Sequence, residues 1–176
     1  MAGEFGHVPL DLNGPQCGCG ARGCWEVYAS NWAALRYYHE SNERANGLTF
    51  RHLLSLAESG DSTALKAIDR MAQAIGRGMR MIVAALAPAD IVFVGEFTGL
   101  WNRVAPLIES AVAQAVLVGT PPRVRPAGAD PSTARLRGTV ALVLQKHFGP
   151  MIDRRRQGKD ARRSEVGLRG LTRSGR

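Results

Sequence analysis

The sequence predicts an α/β domain of which it supplies the later, helix-rich half. Three observations point there. Apolar residues recur at helical spacing from Leu65 to Leu86. A short run that is apolar on every position, Ile91-Val92-Phe93-Val94, follows directly. After residue 48 the order is helix, helix, strand, helix, weak strand, helix, which describes the end of an α/β domain rather than an independent sheet. The strands that would open such a sheet do not occur in these 176 residues.

Each element follows from its own residues. Residues 3–16 are rich in glycine, proline and asparagine and read as a turn-rich extended segment. Trp25 to about Glu40 reads as one helix, with Trp25, Tyr28, Trp32 and Leu35 on one face. Thr49 can cap a short helix reaching about Ser59, with Phe50, Leu53, Leu54 and Ala57 inward. Asp61 or Ser62 caps the long helix that Pro88 stops after Leu86. Gly76 and Gly78 inside it would each cost up to about 1 kcal/mol relative to alanine, so close packing or a local bend is expected there.

The run Asp90–Gly95 suits a strand covered on both faces. A helix from about Leu100 to Val116 contains Pro106, which should kink it or lie near its first turn. Arg123-Val124-Arg125-Pro126 reads as a short edge strand ended by its proline. Ser132 caps a last helix through about Phe148, whose segment Val140–Leu144 is apolar all round and predicts an exposed apolar patch.

Charge divides the chain unevenly. The formal net charge is +8. Nine basic and three acidic residues lie in 153–176, which leaves the body nearly balanced. The tail carries four glycines and few apolar residues, so it cannot bury enough surface to offset its ordering. Arg154-Arg155-Arg156 lacks the interleaved aromatics that base stacking uses, so nucleic-acid binding is not the expectation for the tail. No apolar stretch is long enough to span a bilayer, and residues 1–5 show no signal-peptide pattern. A cytoplasmic protein without membrane contact is expected.

The chemistry concentrates in residues 3–26. Cys17, Cys19 and Cys24 lie in a loop with Gly18, Gly20 and Gly23, and no other cysteine exists, so a disulfide framework is excluded. Three thiols this close suit a structural zinc ion, with His7 as the fourth ligand of a closed Cys3His site. Glycines that accept positive φ would let the loop wrap that tightly. His39, His52 and His147 fall on predicted helices and are given no role.

The full pattern is Gly3-Glu4-Phe5-Gly6-His7, nine residues, then Cys17-Gly18-Cys19-Gly20-Ala21-Arg22-Gly23-Cys24-Trp25-Glu26. It resembles the signature of the ROK family (repressor, open reading frame, kinase) at every fixed position, and the resemblance extends over about residues 2–149. It implies the C-terminal part of an actin-like, ribonuclease-H-like ATPase domain, helix-rich and carrying a zinc loop over 7–26. It implies domain limits of 1–149, followed by a basic flexible tail over 150–176. It also implies zinc on His7, Cys17, Cys19 and Cys24, and contacts from Glu4, His7 and Glu26 to the hydroxyls of a sugar or sugar phosphate. Carboxylates accept from vicinal hydroxyls, and a metal-bound imidazole can offer its other N–H.

Two departures shape the functional expectation. Kinases of the family use an Asp-x-Gly-x-Thr phosphate loop and a catalytic aspartate, neither of which occurs here; Asp11-Leu12-Asn13-Gly14 is no substitute. No phosphoryl transfer and no ATP are therefore expected of this chain alone. Where family kinases place a glycine-rich turn after the strand, this chain has Gly95-Glu96-Phe97, with negative charge and bulk where a nucleotide would approach. The expectation is a ROK transcriptional regulator's sugar-recognising part, which would reach DNA only through an N-terminal winged helix not contained here, with homo-oligomerisation as in relatives. The alternatives are a portion of a glucokinase-like ROK sugar kinase completed by another half, and a small zinc module whose basic tail contacts a partner.

Overall fold

The computed structural model describes residues 3–42, 47–114 and 120–127, and in the last stretch Val140, Val143 and Leu144. The chain divides into two units, Met1–Ala127 and Gly128–Arg176. Among the described residues of the first, five α-helices and two strands follow the site loop: α1 (Glu26–Ala29), α2 (Asn31–His39), α3 (Phe50–Glu58), α4 (Ser62–Leu86), β1 (Asp90–Phe93), α5 (Trp101–Ala113) and β2 (Arg123–Pro126). In the second, Val140, Val143 and Leu144 are helical and about half exposed, in keeping with the apolar patch expected there. The rest of the last helix and the tail lie outside the described residues.

The long helix α4 organises the first unit. Asp61 caps it, its Oδ1 accepting from the Ala64 N–H at 2.7 Å. Ala87 closes it in the left-handed conformation (φ 42°), just before Pro88. Its inward residues Ile68, Met71, Ala72 and Ile75 are buried against Leu53 and Leu54 of α3, Ala34 and Tyr38 of α2, and Val104 and Ile108 of α5. The C-terminal third of the stripe behaves differently. Met79, Ile82 and Val83 are only partly covered, and Leu86 is exposed.

The two glycines of α4 are explained by close approach. A Cβ on Gly76 would lie 2.6 Å from that of Ala111 on α5, and one on Gly78 would overlap the indole of Trp25. The Trp25 Nε1–H donates to the Ala74 carbonyl at 2.8 Å. That carbonyl lies one helical turn before Gly78, so the missing side chain leaves the room in which the indole packs against the helix. Outside the core, Arg103 grips Asp69 with two hydrogen bonds of 2.7 Å, joining α5 to α4. Arg70 bonds Glu40 and lies 3.9 Å above the Tyr37 ring, joining α4 to α2.

The structure corrects two expectations. The helix expected over 25–40 is two helices. Ser30 is extended (φ −88°, ψ 166°), and its hydroxyl accepts from the Ala33 N–H, capping α2 anew. The break shifts the helical phase, so Trp32 is 81% exposed while Tyr37 and Tyr38 are buried. Secondly, the strand after α4 is covered on one face only. Phe93 is buried and Ile91 packs on the core, but Val92 and Val94 are exposed. Pro106 sits inside α5, the first of the two placements its position allowed. The end of that helix expected near Val116 lies outside the described residues.

β1 and β2 pair in parallel, Asp90 opposite Arg123 through Phe93 opposite Pro126, and Pro126 is the last residue of β2 as expected. Gly95 (φ 141°) ends the extended chain, and a short 3-10 helix, Glu96–Leu100, leads into α5. Phe97 turns inward, edge-on to Phe93 with ring centres 5.8 Å apart.

Candidate metal and sugar site

The site loop is shaped by backbone hydrogen bonds. Leu10 N donates to Gly23 O (2.8 Å), Gly23 N to Pro15 O (2.7 Å), Cys17 N to Ala21 O (2.8 Å) and Gly20 N to Cys17 O (3.0 Å). Gly20 (φ 92°) and Gly23 (φ 63°) take the left-handed turns, whereas Gly18 does not. A side chain on Gly23 would strike the Asp11 carbonyl, and one on Gly14 would come within 2.8 Å of the Gly23 Cα. The two arms of the loop therefore touch backbone to backbone. Trp25, anchored on α4, holds Cys24 and Glu26 on either side of it.

This framework gathers the predicted ligands. The His7 nitrogen and the sulfurs of Cys17, Cys19 and Cys24 all lie within 4.8 Å of one another. Tetrahedral zinc with Zn–S of about 2.3 Å and Zn–N of about 2.0 Å has S–S edges near ~3.8 Å and N–S edges near ~3.5 Å. The Cys19–Cys24 sulfur separation is 3.6 Å, and Cys17 Sγ lies 3.5 Å from His7 Nδ1. Donor set and spacing therefore fit zinc. Cys17 and Cys24 are buried and Cys19 is exposed.

The acidic residues flank the imidazole. Glu26 Oε1 accepts from the Cys17 thiol at 2.9 Å and lies 3.4 Å from His7 Nδ1. Glu4 Oε2 lies 3.9 Å from Nε2, the nitrogen that does not meet Cys17. His7, Glu4 and Glu26 are all partly open to solvent. An apolar cleft of about 320 Å³ runs from Gly6 and Glu26 past Trp25 to Ile75, Met79 and Phe97.

The three thiols differ in acidity. At Cys17 the Cys19 backbone N–H favours the thiolate. The Glu26 carboxylate, burial and the two other sulfurs outweigh it and push the thiol up to about 12. The Ala21 backbone N–H, followed by the Cys17 thiol, draws Cys19 below its ordinary value. Burial raises Cys24. Cys19 is thus the thiol that ionises most readily, and Cys17 the one its neighbours hold protonated.

The turn after β1 has partners that sequence reasoning missed. Glu96 Oε1 accepts from Arg51 at 2.9 Å, and Phe97 belongs to the core. The Trp25–Gly78 seat was also missed; the cost of Gly78 in a helix was its only signal in the sequence.

Comparison with known proteins agrees with this architecture. The chain matches the ROK family over residues 1–146 and belongs to that family. It is 34% identical over 92 residues to the xylose repressor of Bacillus subtilis, covering 52% of this chain and 23% of the repressor. It is 34% identical over 110 residues to a glucokinase of Thermotoga maritima, covering 54% of this chain and 33% of the kinase. The crystal structure of a ROK family glucokinase from Streptomyces griseus, in complex with glucose and AMPPNP, superposes with a TM-score of 0.61 at 26% identity over 71% of this chain and 46% of that one. A ROK hexokinase from Thermus thermophilus gives a TM-score of 0.59 at 28% identity, covering 74% of this chain and 44% of that one. The chain spans less than half the length of each of these relatives. Its fold is accordingly a helix-rich part of the actin-like ROK architecture with a small parallel sheet, and the family holds both repressors and kinases.

Proposed function

We propose that residues 1–149 form the zinc-carrying, sugar-recognising C-terminal part of a ROK transcriptional regulator, followed by a basic flexible tail over 150–176. The observation that carries this reading is the convergence of His7, Cys17, Cys19 and Cys24 within 4.8 Å, with Glu4 and Glu26 on either side of the imidazole. Zinc held by these four residues would fix the ring and favour a proton on its outer nitrogen. His7 Nε2–H then donates to a sugar oxygen, and Glu4 accepts from a hydroxyl. Loss of the Cys17 proton removes the donor that Glu26 Oε1 uses, leaving that oxygen free for a second hydroxyl. A reduced, cytoplasmic setting suits three free thiols.

The turn after β1 supports regulator over kinase. Glu96, paired with Arg51, and the buried Phe97 stand at the sequence positions where the family's kinases carry a glycine-rich turn. DNA would be contacted through a domain outside this stretch. Among the described residues no helix is long and apolar enough to cross a membrane.

The test is zinc content of the purified chain, then calorimetric titration with xylose, glucose and N-acetylglucosamine. About one zinc per chain is expected, with one sugar bound and binding weakened about tenfold or more in Glu4→Gln and Glu26→Gln at unchanged zinc content. A folded protein with no zinc would defeat the metal assignment; full binding by both variants would defeat the sugar contacts. The kinase alternative draws on the glucokinase relatives. AMPPNP binding by this chain, with glucose tightening it, would favour that reading instead.

A further inference from the structure

The outer face of α4 carries one sign of charge. Lys66, Arg70, Gln73, Arg77 and Arg80 recur at alternating spacings of four and three, which aligns them on one side of the helix over about 21 Å. All five are exposed, and they lie opposite the buried Ile68, Met71, Ala72 and Ile75. Helix α2 widens the patch. The Arg36 and Arg70 guanidiniums lie 5.2 Å and 3.9 Å from the centre of the Tyr37 ring, and both pair with Glu40. Burial raises the Tyr28 phenol, with Asp11 next, while Arg36 and Arg77 act against them, so both guanidiniums lie within electrostatic reach of one hydroxyl. Among the described residues Lys66, Arg77 and Arg80 have no carboxylate at ion-pair distance, and Asp69 at the margin is held by Arg103. The concentration is local, since residues 1–152 as a whole are nearly balanced.

We propose that this face binds the sugar-phosphate backbone of duplex DNA. The chemistry of the stripe selects that occupant. Its one uncharged polar member, Gln73, donates N–H groups to a phosphate oxygen as readily as its neighbours do. Ala84 continues the stripe, so the face offers none of the aromatic or large aliphatic anchors on which protein interfaces depend. A second copy of the chain would present the same positive stripe and be repelled. Contacts of this kind carry no sequence information; they position the protein on the duplex and add affinity that salt removes. The regulator reading enters only in choosing duplex DNA among phosphate-bearing polyanions, and the metal and sugar assignments do not enter.

The test follows the fluorescence anisotropy of a short labelled duplex of arbitrary sequence with the full 176-residue chain, over a series of salt concentrations. Lys66→Gln, Arg77→Gln and Arg80→Gln together should flatten the dependence of log affinity on log salt by about 2–3, at about 0.9 per lost phosphate contact, and weaken binding about tenfold or more at about 50 mM salt. Arg77→Lys with Arg80→Lys keeps the charge and should keep the binding, as contacts to phosphate by point charges require. All three positions are exposed, so the triple variant should melt close to wild type. Arg154→Gln, Arg155→Gln and Arg156→Gln remove the same charge from the tail and should weaken binding less. No binding at low salt, a salt slope that the α4 variant leaves unchanged, or binding that only the tail variant abolishes would overturn the proposal. Phosphatidylglycerol vesicles are the second arm: binding to them that depends on α4, without DNA binding that does, would make a lipid surface the occupant instead. A chain that takes up neither zinc nor sugar yet holds DNA through α4 would leave this proposal standing and sink the site assignment alone.

Discussion

Gly78→Ala separates packing from helix propensity by the sign of its effect. Propensity alone predicts that alanine stabilises α4 by about 1 kcal/mol. At this position the new Cβ overlaps the Trp25 indole, which must leave its seat and give up its bond to the Ala74 carbonyl. Overpacking of this kind costs about 1–3 kcal/mol, and the lost hydrogen bond about 1 kcal/mol more. The net expectation is a loss of about 1–3 kcal/mol, or a fall in Tm of roughly 3–10 °C for a chain of this size. Trp25→Ala removes the obstacle at a cost of about 3–5 kcal/mol of its own. In that background Gly78→Ala should stabilise by about 0.5–1 kcal/mol. The assay is thermal or urea unfolding of the four proteins at saturating zinc, which holds any metal contribution constant. A Gly78→Ala protein as stable as wild type, or one equally destabilised in both backgrounds, would refute the seat.

Further outcomes follow from the same geometry. Cys17→Ser should lower zinc stoichiometry from about one per chain to well below it, read by atomic absorption after gel filtration. Zinc affinity should rise with pH, because the thiols must give up protons to bind. The Cys17 thiol, held protonated up to about 12, should contribute a full proton to the release measured in weak buffer at pH 7. Phe97→Ala should destabilise by about 3 kcal/mol in urea melts, since the ring is buried against Phe93. Arg51→Ala should shift stability by less than about 1 kcal/mol, because that ion pair is exposed.

Helices with clear caps were legible in the sequence. Thr49 and Asp61 each cap where expected, and Pro88 follows the end of α4. The break at Ser30 was not, because a serine inside an apolar-periodic stretch reads the same whether its hydroxyl faces solvent or caps a new helix. One missed cap was enough to misplace Trp32. The one-sided burial of β1 was hidden for another reason: a run apolar on every position reports what the strand could bury, not what lies beside it. At the site, residue types and spacing were sufficient to anticipate the convergence of His7 with three cysteines. The support of that cluster by Trp25 on Gly78, more than fifty residues away, is a contact of the folded state that no local pattern encodes.

The touching arms at Asp11, Gly14 and Gly23 have a consequence for how a metal ion would come and go. Four main-chain bonds and two glycines already dictate the path of the loop. Much of the entropic cost of bringing distant ligands together is therefore met by the polypeptide itself. Capture and release of a metal held there would be local events at the exposed Cys19 corner, and a chelator should strip such an ion while the helices around α4 stay folded.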